Sequence, residues 1–145
     1  MMAVQATGRV VRDKLGLELY ISRLVPLPVA ETWKWLSTPS RARKWAGTLT
    51  VVESVEFTRL SADVDGWRIG LAIVAVDGGT RVFFTQRVAS ARDAGVAGPV
   101  WEFRLDRLVA AVAATPKPVE ADYATQQPYF ERLAMDGDPQ PWPAS

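Results

Sequence analysis

Apolar and polar residues alternate from Leu17 to Val25, with Leu17, Leu19 and Ile21 on one side and Glu18, Tyr20 and Ser22 on the other. That period of two predicts a half-buried strand. The stretch before it is less regular, and Val10-Val11-Arg12 reads either as an extension of this strand or as a lead-in. Pro26 and Pro28 end the strand. Pro28 suits the first position of a helix, where its missing N–H costs nothing, and Val29, Trp33 and Leu36 then form one apolar face. Thr38-Pro39 starts a second short helix that turns Arg41, Arg43 and Lys44 outward and ends near Trp45 and Gly47.

Four extended segments follow, Leu49 to Phe57, Leu60 to Val64, Trp67 to Val76 and Thr80 to Ala89. Asp65-Gly66 and Asp77-Gly78-Gly79 separate the last three and predict hairpin turns. Trp67, Ile69, Leu71 and Ile73 share one face, as do Val82, Phe84, Gln86 and Val88. A long helix is predicted from Pro99 to about Ala114, with Trp101, Leu105, Leu108 and Val112 as its apolar stripe and Glu102 near the positive end of its dipole. Ala121 to Ala134 reads as a further short helix interrupted at Pro128. The tail from Asp136 to Ser145, with three prolines and Trp142, reads as loose.

Composition narrows the chemistry more than the fold. The 145 residues fit one domain, over residues 1–135, followed by the tail at 136–145. There is no histidine and no cysteine. Their absence removes thiolate nucleophiles, zinc–thiolate sites, His-based metal ligation and every Ser–His or Cys–His catalytic pair. The net charge of +1 gives no general attraction to nucleic acid. No run approaches the ~20 apolar residues of a membrane span, and no secretory signal is visible near the start, so a cytoplasmic location is expected.

The order of these segments resembles the START-like (SRPBCC) superfamily, and within it the branch named after the activator of Hsp90 ATPase. The resemblance rests on the strand-then-helix opening Leu17 to Leu36, on Thr38-Pro39 leading to Trp45, on Asp65-Gly66-Trp67 through Asp77-Gly78-Gly79-Thr80-Arg81, and on Gly98-Pro99-Val100-Trp101 leading to Leu105-Asp106-Arg107-Leu108. It implies an α+β helix-grip fold: a curved antiparallel sheet around a long C-terminal helix, with two short helices after the first strand and a cavity between sheet and helix. Members of the superfamily bind lipids, sterols, polyketides or plant hormones, and some catalyse cyclisation or hydrolysis. This chain departs from the pattern after Trp45, where a hairpin is shortened or lost. A shallower cavity, or a homodimer in which a second copy covers the gap, could compensate.

The expected function is non-catalytic binding of a small apolar or amphipathic molecule. The expected lining residues are Trp45, Trp67, Ile69, Phe84, Gln86, Trp101, Leu105 and Leu108, with no catalytic residue, no metal and no cofactor. The simpler reading of each of these tryptophans is core. Gln86 lies between Phe84 and Val88 on an apolar face, so it either meets a cavity or finds a partner in the core. Two rival readings are a cyclase or hydrolase using a buried carboxylate such as Glu53, and a chaperone-associated interaction module. Asp63 and Asp65 read as solvated, and the basic cluster of Arg41, Arg43 and Lys44 reads as a solvated helix face.

Overall fold

A computed structural model describes residues 3–136. The tail at 137–145, with Trp142, lies outside the described residues. Six strands form one antiparallel sheet in the order β1-β2-β6-β5-β4-β3. In chain order the elements are β1 Arg9–Asp13, β2 Gly16–Val25, α1 Val29–Ser37, α2 Pro39–Ala42, β3 Thr50–Val55, β4 Arg59–Val64, β5 Trp67–Val76, β6 Gly79–Val88 and α3 Ala91–Ala113. A 3-10 helix over Glu120–Gln126 and α4 over Gln127–Asp136 complete them. This is the helix-grip α+β architecture.

The chain divides into two compact units, one of residues 3–21, 85–103 and 119–136, the other of residues 22–84 and 104–118. In the first unit, β1 is a true strand rather than a lead-in. It pairs with β2 from Arg9↔Tyr20 to Asp13↔Gly16, which leaves Lys14-Leu15 as a two-residue turn. Asp13 helps hold that turn by accepting the Leu15 N–H at 2.8 Å.

The start of α3 corrects the sequence reading. The helix begins at Ala91, and Pro99 lies inside it rather than at its first position. The signal for the true start is Ser90-Ala91-Arg92-Asp93, half of a capping box. Ser90 Oγ accepts the Asp93 N–H and the Ser90 carbonyl accepts the Ala94 N–H. An interior proline costs ~3 kcal/mol, but α3 buries Ala94, Ala97, Trp101, Leu105 and Leu108. At ~1.5–3 kcal/mol for each large apolar side chain, that burial outweighs one broken helix bond.

The same misplaced start hid Glu102. It lies well inside α3 and is fully buried, not at the helix N-terminus. Its carboxylate accepts the N–H groups of Thr7 and Gly8 and the Thr7 hydroxyl, tying the entry to β1 onto the helix. Pro128 is the second residue of α4, just past the switch from the 3-10 helix to the α-helix, where the sequence predicted an interruption. Phe130 of α4, fully buried, sits against two glycines: a Cβ on Gly98 would lie 2.3 Å from its ring, and one on Gly8 would lie 2.9 Å away.

In the second unit, β3, β4 and β5 form a meander. β4 and β5 pair from Arg59↔Ala72 to Val64↔Trp67 across Asp65-Gly66. Both turn residues have positive φ, +53° and +83°, the conformation a type I′ hairpin turn requires. β3 pairs with β4 with one bulge, at Val52 between Val51↔Ala62 and Glu53↔Ser61. All six residues of β3 are exposed.

Candidate functional site

Of the eight residues expected to line a site, six lie in the second unit: Trp45, Trp67, Ile69, Phe84, Leu105 and Leu108. Five of these are buried and Trp67 is half-buried. Strand alternation turns Ile69 and Phe84 inward, while helical spacing puts Leu105 and Leu108 on one stripe of α3. Trp45 follows α2, and its indole N–H donates to the Trp35 carbonyl at 3.0 Å. A buried tryptophan with its one donor satisfied is a rigid wall, whether of core or of cavity.

Gln86 and Trp101 lie in the first unit. Gln86 is only 4% exposed. Among the described residues its Oε1 has no hydrogen-bond partner. The sequence left two outcomes for this side chain, and its acceptor has not found a partner in the core. Gln126 and Asp122 also carry an orphan acceptor each, but Gln126 donates its amide to the Val4 carbonyl and lines a surface groove with Val4, Gln5 and Tyr129. Gln86, by contrast, alternates with Phe84 and Val88 on the buried side of β6.

Glu53 does not meet the condition set for a catalytic acid. It stands on the exposed strand β3 and borders an open groove with Ser54, Val55, Arg59, Leu60 and Ser61. Among the described residues the buried carboxylate is Glu102, and three donors converge on it, so it acts as an anchor. Asp63 and Asp65 are exposed but not merely solvated, since they pair with Arg68 and Arg104. Of the basic cluster, Arg41 and Lys44 lie over the Trp35 ring, at 5.5 and 5.7 Å from its centroid. No group of three or more Asp or Glu residues able to hold a metal occurs among the described residues. No described helix is long and apolar enough to cross a membrane.

Tyr20 has a displaced titration. Burial, and then its hydrogen bond to Glu18 at 2.6 Å, push its hydroxyl up to about 12. It is therefore a donor at neutral pH and no base.

No protein-family model matches the chain, and no curated protein matches it significantly. Solved structures do match. CalU16 from Micromonospora echinospora, as determined in solution, superposes with a TM-score of 0.71 at 16% identity, over 94% of this chain and all of its own. EF2215 from Enterococcus faecalis, a conserved protein of unknown function, gives 0.63 at 12% identity over 90% of this chain and 89% of its own. DynU16, from the dynemicin biosynthetic locus, gives 0.58 at 16% identity over 71% of this chain and 50% of its own. At these identities the likeness is one of fold. It agrees with the helix-grip fold that the resemblance implied, and none of these structures is named for the activator of Hsp90 ATPase.

Proposed function

We propose that this protein binds a small hydrophobic or amphipathic molecule and does not transform it. The observation that carries the reading is the buried, unpartnered Oε1 of Gln86. Such an acceptor costs ~1–3 kcal/mol as long as it stays unsatisfied. A leucine or methionine would fill the same position at no such cost. A donor group on a bound guest would satisfy the amide, and the surrounding apolar side chains would supply most of the binding free energy. On this reading Gln86 is the polar anchor of the site.

Two further considerations support binding over catalysis. The chain has no histidine or cysteine, and of the two carboxylates considered for catalysis Glu53 is exposed and Glu102 already accepts three hydrogen bonds. DynU16, which shares the fold over 71% of this chain and 50% of its own, is a protein in the dynemicin biosynthetic locus.

The test is Gln86→Leu together with native mass spectrometry of protein purified from its own host. The wild type should retain a small molecule that the variant loses. The ligand-free variant should be more stable by about 1 kcal/mol in urea titration, because the orphan acceptor is gone. A wild type that carries no guest, combined with a variant less stable than the parent, would end this reading.

A further inference from the structure

Residues 3–6, which lead into β1, form one wall of a groove of about 310 Å³ that does not involve Gln86. The other wall is Thr125 and Gln126 of the 3-10 helix, with Tyr129 of α4. Both walls belong to the first unit. Val4 ties them together. Its N–H donates to the Asp122 carbonyl at 2.9 Å, and its own carbonyl accepts from Gln126 Nε2 at 3.0 Å. Among the described residues, no other hydrogen bond fastens residues 3–6.

Holding Val4 accounts for only half of the Gln126 side chain. A carbonyl can only accept, so Nε2 is the end of the amide that faces Val4. Oε1 is left over. It has no hydrogen-bond partner among the described residues, although Gln126 is only 3% exposed. A buried acceptor left unmatched is unfavourable, and the structural task does not need it. Tyr129 contributes an apolar surface. Its hydroxyl donates to the Gly8 carbonyl at 2.9 Å and accepts from Arg9 at 3.1 Å, and its ring meets Phe130 edge-on at 5.1 Å between centroids. Thr125 and Gln5 are exposed and keep side-chain hydrogen-bonding capacity to spare. None of the described lining residues is charged.

We infer that this groove is a site for a small neutral carboxamide. The guest's N–H donates to Oε1 of Gln126, its carbonyl accepts from Thr125 or Gln5, and its short apolar body lies against Ala3, Ala6 and the Tyr129 ring. The needs are reciprocal, since a carboxamide carries a donor and an acceptor side by side. A charged head would enter walls that hold no opposite charge. Oε1 is covered, and the lead-in, fastened at Val4 alone, yields as the guest reaches it.

Isobutyramide, its N,N-dimethyl derivative and isobutylammonium separate the contributions, because they share a body and differ in the head. In a backbone-amide NMR titration of the full chain, isobutyramide should shift residues 4–6 and 125–129. The dimethyl derivative, which has no N–H, should not do so at the same concentration, and the ammonium should bind more weakly than the carboxamide. Gln126→Met removes the acceptor and should lower the affinity for isobutyramide about tenfold, but it also releases Val4. Thr125→Phe leaves Gln126 in place and fills the groove from an exposed position, so the fold should be kept, as the unperturbed remainder of the spectrum would show. Its affinity should likewise fall about tenfold. Equal shifts from the dimethyl derivative, tighter binding of the ammonium, shifts confined to the surroundings of Gln86, or an unchanged affinity in Thr125→Phe would each overturn the inference.

Discussion

Asp13 shows how one carboxylate in a turn can report on folding. Its two oxygens accept both terminal nitrogens of Arg87, at 2.8 and 2.7 Å, and one also takes the Leu15 N–H. The hydrogen bonds from Arg87, and then that backbone bond, lower its titration from 3.8 to about 2. A carboxyl that binds its proton less readily when folded stabilises the fold above its unfolded value and loses that contribution as pH falls through the folded one. Asp13→Asn should therefore lower the urea midpoint at neutral pH, and the two curves should converge between about pH 4 and 2. A gap that persists undiminished at pH 2 would show that the pair is not the cause. Both side chains are well exposed, so added salt should narrow the neutral-pH gap as well.

At the scale of elements, the junction of α3 and α4 is the place where local preference and packing disagree most. Alanine normally favours a helix over glycine by ~1 kcal/mol. At position 98 the added methyl would enter the ring of Phe130, which is fully buried and has no room to retreat. Gly98→Ala should therefore destabilise the protein by about 1–3 kcal/mol, measured by thermal or urea unfolding; a stabilised variant would mean that α4 can shift away. This pairing also explains what the sequence could and could not reveal. Hairpin turns, strand faces and the apolar stripe of α3 were legible because period and turn chemistry are local. The start of α3 was misread because Pro99 looked like a first-turn proline, although Ser90 and Asp93 carried the better signal. The burial of Glu102 was not legible at all: its donors are Thr7 and Gly8, far away in the chain. The candidate wall residues were read correctly as inward-facing, apart from the half-buried Trp67, but an inward face is common to a core and a binding site. The binding reading proposed above therefore leans on the unsatisfied Gln86 acceptor and not on the inward faces.

Across the whole molecule, the two edges of the sheet are treated differently. β1 is covered by α4, where Arg12 reaches the Ala134 carbonyl and Tyr129 reaches Gly8. β3, at the other edge, keeps Val51, Val52 and Val55 exposed, with Phe57 beside them at the turn. Bare, apolar edges template pairing with other chains, and the bulge at Val52 guards against it. Val52→Lys should reduce light scattering during refolding at high concentration while changing stability by no more than about 0.5 kcal/mol. Unaltered scattering would place the sticky surface elsewhere. The opposite extreme is the crossing of β6 and the Pro26-Leu27-Pro28 link. Gly79 passes so near that a Cβ would fall 2.1 Å from the Val25 oxygen, and the Leu27 carbonyl accepts hydroxyls from both Thr80 and Thr32. That link has no slack. Relatives of different length should therefore carry their extra residues near the tip at Phe57, and a loop grafted for engineering would be tolerated there and rejected between the two prolines.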